Sequence, residues 1–346
     1  MDTVALVDPG RPQDARASAP PEPLRLEVTR DGTTLFVPVH SSRALTPDAA
    51  VQRVVIVIQG DRRRPIDYLE SVAHSAAAAG AEDVLALAPY FRVAGELDPG
   101  ERPSGAAYWS PSGWKEGGLS RCDPWDRPWR ISSFAVVDSL ITAVAGSGLW
   151  SGIADVLIVG HSAGGQFVQR FAAGSRIQES LATLGLRYRF IVANPSSYLY
   201  LSRHRFVASS GTFVRLSDDQ LAACPRANRY KYGLRGLNEY MSASDRASIR
   251  QRYLERTIDY VVGELDTHPE DARFDTTCAG RLQGGTRYGR GRTFHDYLGH
   301  LFGGDVYARH RLLVVPGVGH DVRSILSAPN VQAAMFGRSP ASAAAG

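Results

Sequence analysis

The 346-residue chain is 44% hydrophobic and 21% charged, a composition that belongs to folded globular proteins and excludes disordered, collagen-like and coiled-coil chains. Its formal net charge is only +4, and its basic residues, all arginine except Lys115 and Lys231, are scattered rather than clustered, so no nucleic-acid partner is expected. No apolar run approaches the ~18 residues of a membrane helix, so no membrane span is expected, and the length suits one large α/β domain or two smaller ones.

Residues 1–22 are rich in Pro, Ala, Asp and Arg and read as a disordered or loosely packed leader. They lack both the basic start and the continuous apolar stretch of a signal peptide, which points to a cytoplasmic location; a mature secreted chain would read the same way. Two alternating runs follow, 24–29 and 34–39, split by Asp31-Gly32, a strong hairpin signal. Beyond them the pattern changes. Val54-Val55-Ile56-Val57-Ile58 is an unbroken β-branched run, as in a strand covered on both faces of a parallel sheet. A helix over 65–79, a strand over 84–88, a helix over 134–145, a strand over 155–159, a helix over 166–173 and strands over 188–193, 257–262 and 312–315 continue the alternation. Such alternation implies right-handed βαβ units and a mainly parallel sheet, with the opening hairpin as antiparallel edge strands.

Three long connections interrupt this rhythm. Residues 89–130 hold four of the five tryptophans, 195–255 are rich in Tyr and Arg, and 267–305 in Gly and Arg. Connections this long are expected to be lids or binding segments of one domain spanning 23–338, with a flexible tail at 339–346.

The sharpest chemical signal is Gly160-His161-Ser162-Ala163-Gly164, placed between a predicted strand and a predicted helix. In that context glycines flank a side chain held at a very tight turn, and the helix N-terminus directs free N–H groups to the same spot. A serine hydroxyl needs a base to take its proton. Of the nine histidines, His320 follows the last strand most closely, in Pro316-Gly317-Val318-Gly319-His320. The strand over 257–262 runs into Gly263-Glu264-Leu265-Asp266, which offers Asp266, or its competitor Glu264, to orient the imidazole. The N–H of Ala163 and that of Asp61, on the loop Gln59-Gly60-Asp61, are the expected oxyanion donors.

On these residues the chain resembles the α/β-hydrolase superfamily of serine hydrolases over about residues 50–330. The resemblance implies an α/β-hydrolase fold with a mainly parallel, twisted sheet of about eight strands flanked by helices. Gln59 stands where members usually carry a His before the oxyanion glycine. Asn194-Pro195-Ser196-Ser197-Tyr198 and Glu264-Leu265-Asp266-Thr267 resemble a poorly characterised bacterial branch. The implied chemistry is attack of Ser162 on an acyl carbonyl, with His320 shuttling the proton and Asp266 orienting it. The product is an acyl-enzyme cleaved by water, as in an ester hydrolase, or by another acceptor, as in an acyltransferase or thioesterase. A catalytically silent binding protein would require a missing triad member.

For the substrate, a small acyl-bearing molecule, the aromatic residues of the long connections suggest an apolar pocket, with Trp109, Trp114 and Tyr198 as lining residues. Arg62, Arg63 and the arginines of 287–292 are the candidates for recognising a carboxylate. No cofactor is expected and no metal, since HExxH, GxxxxGK[ST] and a strand-associated GxGxxG are all missing from the sequence. Cys122, Cys224 and Cys278 lie far apart without metal-site spacing, which suggests a reducing compartment or at most one disulfide; Cys224 and Cys278 both fall in lid segments, and their pairing is left open.

Overall fold

The computed structural model describes residues 2–10, 23–101 and 104–337. Its strands are β1 (Thr3–Val7), β2 (Leu24–Arg30), β3 (Thr33–Ser41), β4 (Arg53–Ile58), β5 (Val84–Pro89), β6 (Asp155–His161), β7 (Arg187–Ala193), β8 (His204–Val207), β9 (Thr212–Arg215), β10 (Ile258–Gly263) and β11 (His310–Val315). Nine of them form one sheet in the order β1-β2-β3-β5-β4-β6-β7-β10-β11, while β8 and β9 make a separate hairpin. Pairings from β5 through β11 across the sheet are parallel, and those among β1, β2, β3 and β5 are antiparallel. The sheet therefore exceeds the expected eight strands. The additional edge strand is Thr3–Val7, whose alternating valine, alanine and leucine pair with β2 in what reads from composition as part of a loose leader. Residue 1 and residues 11–22 of that leader, and the tail expected at 339–346, lie outside the described residues.

The helices are α1 (Pro65–Ala78), α2 (Ser133–Gly146), α3 (Ala163–Gly174), the short α4 (Ile177–Ser180), α5 (Asp218–Ala223) and α6 (Glu239–Ser242), then α7 (Arg246–Glu255), the short α8 (Cys278–Arg281), α9 (Arg287–Phe302), α10 (Val322–Leu326) and α11 (Pro329–Phe336); α1, α2, α3, α9, α10 and α11 pack on the sheet. None among the described residues is long and apolar enough to cross a membrane. The reason the central strands are β-branched throughout is visible in how they divide. Val54, Ile56 and Ile58 face one core with Phe134, Phe167 and Phe294, whereas Val55 and Val57 face a second core with Val72, Ile325 and Met335. A period of two with both faces covered leaves no solvent-facing position to make polar.

The long connections are largely structured. Residues 89–130 contribute Trp109 and Trp114 to the core, and 267–305 contain the sixteen-residue α9 rather than a loop. The glycines that obscure this helix are there for close approach. A Cβ on Gly291 would stand 2.3 Å from Val262 Cγ1, and one on Gly299 would stand 2.0 Å from the Tyr307 hydroxyl. Glycine lowers helix propensity by about 1 kcal/mol relative to alanine, a cost set here against packing of α9 onto β10.

Cys224, at the end of α5, and Cys278, at the start of α8, form a disulfide that ties two of the long connections together; Cys122 is free. Elsewhere a buried chain of hydrogen bonds runs from Gln169 Nε2 to the Tyr253 hydroxyl (3.0 Å), from Tyr253 to the Tyr260 hydroxyl (2.7 Å), and on to His310 Nδ1 (3.0 Å). His310 Nε2 lies 3.0 Å from the Tyr253 carbonyl, to which it donates. The chain is satisfied with a neutral imidazole, and burial lowers the His310 pKa to about 4.

Two outcomes follow from these features. Closing a loop of separation 54 is worth up to about 4 kcal/mol in the chain-entropy account, so reduction, or C224S with C278S, should lower the thermal midpoint by several degrees; an unchanged midpoint would count against the bond. For His310 the folded-state pKa is depressed, so the unfolded chain takes up the proton first, near its ordinary 6.5. Stability is then full above that pH and falls on acidification, by about 2 kcal/mol at pH 5. Urea unfolding at pH 7 and pH 5 checks this, and His310→Asn should show a correspondingly smaller pH dependence.

Candidate active site

Ser162 sits between the end of β6 and the start of α3 with φ 60° and ψ −119°, a backbone conformation that non-glycine residues avoid unless their surroundings impose it. The surroundings here are backbone carbonyls. A Cβ on Gly160 would stand 2.2 Å from the Gly164 carbonyl oxygen, one on Gly164 2.2 Å from that of Ile58, and one on Gly165 2.5 Å from that of Ala193. The turn is tight because β4 and β7 flank it in register, Ile58 opposite Gly160 and Ala193 opposite His161. The Ser162 N–H donates to the Ala193 carbonyl at 2.9 Å, locking the turn to β7.

The loops after β10 and β11 bring the other two predicted residues to this point. His320 Nε2 lies 2.9 Å from Ser162 Oγ, and His320 Nδ1 lies 2.6 Å from Asp266 Oδ2. The Asp266 side chain is 1% exposed. Glu264, the competitor, is exposed and turns away, its Oε2 accepting from the Gly317 N–H at 2.9 Å. It thereby fixes the loop that carries His320, in which Gly317 adopts φ 68°. With the Nδ1 proton held by Asp266, Nε2 is left to accept from the serine hydroxyl.

Four further residues, Arg287, Arg290, His161 and Asn194, surround this line, and their part in it is hard to identify from sequence. Arg287, 1% exposed at the start of α9, reaches both Asp266 Oδ1 (3.5 Å) and Asp271 Oδ2 (3.1 Å). Arg290 is wholly buried, donating to the carbonyls of Gly284 (2.9 Å), Asp275 (2.9 Å) and Ser196 with its guanidinium 3.9 Å from the Phe274 ring centroid. These two arginines are engaged inside the protein, which corrects the expectation that they contact a substrate carboxylate. His161, beside Ser162, has its ring centroid 4.5 Å from that of His320. Burial, then the charges of His320 and Arg287, push its pKa well below the ordinary value, so it stays neutral. Asn194, at φ 44°, spans the gap: Oδ1 accepts from the Gly263 N–H at 2.9 Å and Nδ2 lies 3.3 Å from His161 Nε2. The one signal for Asn194 is the residue type, since asparagine tolerates positive φ better than most.

Ala163 opens α3, where a backbone N–H has no partner within the helix, and both it and Asp61 line the cavity over Ser162. Gln59 is buried, its Nε2 donating to the Phe91 carbonyl at 2.8 Å, and pins the end of β4 beneath Asp61. Arg63 pairs with Glu96 at 2.9 Å and donates to the Asp61 carbonyl at 3.0 Å, serving the same loop. Arg62 lines a second cavity, of about 280 Å³, on the His320 side of the serine.

The cavity over Ser162 has a volume of about 400 Å³ and is polar. Lys115 pairs with Asp61 and Lys231 with Glu116, each at 3.1 Å, and Arg226 and Arg273 also face it. Trp109, Trp114 and Tyr198 do not line it. They are 1%, 0% and 0% exposed, with Trp114 against Phe91 and Phe167 and Tyr198 stacked on Phe294. The expected aromatic acyl pocket is thus corrected: large rings satisfied the core instead, because two covered sheet faces in a chain this size need bulky apolar filling.

A mainly parallel sheet flanked by helices, with a strained serine at a strand–turn–helix junction and histidine and aspartate on later strand ends, defines the α/β-hydrolase fold, and the chain has that fold. Among solved structures it is similar to a poly(3-hydroxybutyrate) depolymerase from Bordetella parapertussis, with TM-score 0.56 and 20% identity over 92% of each chain. It is also similar to a poly(aspartic acid) hydrolase from Sphingomonas sp. KT-1, with TM-score 0.57 and 21% identity over 87% of this chain and 94% of that one. No protein-family model and no curated protein matches the sequence.

The carbonyl contacts make the glycines of the turn testable. Gly160→Ala should cost at least about 2 kcal/mol, the range for overpacking against atoms that cannot yield, as read from urea unfolding; an alanine variant of wild-type stability would contradict the packing described.

Proposed function

We propose that the protein is a serine hydrolase that cleaves a carboxylic ester or related acyl bond. The observation that carries this reading is the continuous line Asp266–His320–Ser162, with contacts of 2.6 and 2.9 Å. In the proposed reaction His320 Nε2 takes the Ser162 proton as Oγ attacks the acyl carbonyl. The N–H groups of Ala163 and Asp61 receive the developing oxyanion. The protonated imidazole, stabilised by Asp266, returns the proton to the leaving alcohol as the acyl–oxygen bond breaks. Water then enters and gives a proton to His320 as its oxygen attacks the acyl carbon; the Ser162 ester bond breaks, Oγ takes that proton back from His320, and the acid is released. Arg287 positions Asp266 rather than touching the reacting atoms.

The polar, open cleft favours hydrolysis over acyl transfer, since an acyltransferase has to keep water from the acyl-enzyme. It also favours short or polar acyl groups over long aliphatic ones. The two solved neighbours named above, a depolymerase and a hydrolase, are in keeping with the reading. The Cys224–Cys278 bond favours an oxidising compartment over the cytoplasm.

Hydrolysis of p-nitrophenyl esters of graded acyl length tests the proposal. Acetate and butyrate esters should be turned over faster than decanoate. Ser162→Ala should abolish turnover, and Asp266→Asn should lower kcat by about 10³- to 10⁴-fold while leaving the fold intact. A wild-type protein that neither hydrolyses any ester nor reacts at Ser162 with a fluorophosphonate would overturn it in favour of a binding protein.

A further inference from the structure

The loop 226–235 has cavities on two sides. Arg226, Lys231 and Tyr232 line the one over Ser162; Asn228, Leu234 and Arg235 line another, of about 620 Å³, that shares no residue with the first. The second cavity, open to solvent, is bounded by the segment leading into β8, the end of β9, the first two turns of α7 and Leu301 of α9. Five arginines project around it, Arg203, Arg215, Arg235, Arg246 and Arg250, and no Asp or Glu lines it. Among the described residues only Arg203 of the five has a carboxylate partner, Asp218 at 2.9 Å, and that carboxylate is 91% exposed, so water screens it.

Arg215, Arg235, Arg246 and Arg250 are exposed at the rim of this concave surface and Arg203 is half-buried. Arg250 donates through Nε to the Leu201 carbonyl at 2.7 Å, which fixes its stem and leaves the outer guanidinium nitrogens free of that contact. Arg205, which does not line the cavity, is 1% exposed and holds two lining residues in place by donating to the carbonyls of Ser202 (3.1 Å) and His204 (2.7 Å). The floor itself includes the buried Leu201 and Leu234. Burial foremost, with the nearby His300, Arg215 and Arg205, lowers the pKa of His204, which also faces the cavity. Like charges gathered at a concave surface reinforce one another's field and favour an anion there. Guanidinium forks match the paired oxygens of phosphate and carboxylate groups, and the volume is that of a small-molecule site.

We propose that this cavity is an accessory site for a small multivalent anion, a molecule carrying two or more phosphate or carboxylate groups, distinct from the cleft over Ser162. The site needs no catalysis and does not depend on the hydrolase reading.

The test is isothermal titration calorimetry of the full chain with tripolyphosphate and, separately, citrate, in buffer whose ionic strength is held constant with sodium chloride. Saturable one-to-one binding of either probe is expected. Binding of tripolyphosphate alone would assign phosphate groups to the ligand, and binding of citrate alone would assign carboxylates. The pair Arg235→Ala and Arg246→Ala together should weaken binding at least tenfold, with circular dichroism confirming the fold. Arg215→Gln alone should weaken it severalfold and serves if the double variant does not fold. Arg121→Ala, an exposed arginine paired with Asp123 elsewhere, makes the same single-charge change as one of these substitutions and should leave binding unchanged. No saturable binding of either probe, or equal weakening by Arg121→Ala and Arg215→Gln, would overturn the proposal.

Discussion

Everything at the candidate site depends on one steric constraint, the contact of glycine Cα atoms with main-chain carbonyls at the end of β6. Gly160, Gly164 and Gly165 each lie where an additional carbon would meet a carbonyl oxygen of the turn itself, β4 or β7. That closeness forces Ser162 into its unusual backbone conformation and lifts the hydroxyl clear of both neighbouring strands. It also holds the first turn of α3 against the sheet edge, so the unpaired N–H groups of the helix start beside the hydroxyl instead of some distance from it.

A second layer holds the charges in place. A buried carboxylate is expensive unless it is paired and hydrogen-bonded. Asp266 meets this requirement with His320 on one oxygen and Arg287 near the other, while Arg287 shares its charge with Asp271. The neutral state of His161 belongs to the same balance. A second imidazolium beside His320 would oppose any positive charge on that ring, and burial keeps His161 neutral. Asn194 then links this histidine to the main chain of Gly263, so the ends of β6, β7 and β10 are joined through side chains as well as through the sheet.

The central strands, their parallel order and the meeting of Ser162, His320 and Asp266 at one sheet edge were legible in the sequence, because each depends on short-range pattern: two-sided apolar runs, glycines around one serine, and a histidine or aspartate directly after a strand. What was illegible depends on partners distant in the chain. Helix α9 reads as a loop because Gly289, Gly291 and Gly299 depress its helical signal, and the reason for two of them lies in Val262 and Tyr307. Thr3–Val7 is too short to stand out until it pairs with β2. Trp109 and Trp114 look like pocket residues by composition, since nothing local distinguishes a ring facing Phe91 from one facing a ligand. Arg287 and Arg290 look like recognition residues by charge, and only the buried carboxylates and carbonyls around them reveal a supporting role.

The loop 226–235 folds back on itself, with Arg235 donating to the Asn228 carbonyl at 3.0 Å and Tyr230 to the Arg235 carbonyl at 2.7 Å. Alternate parts of it form walls of two separate cavities. A partition that is one loop thick has no independent faces: moving the backbone to widen one chamber narrows the other. Any attempt to re-engineer the cleft over Ser162 through Arg226, Lys231 or Tyr232 therefore alters the arginine-lined chamber behind it, and the two must be redesigned together.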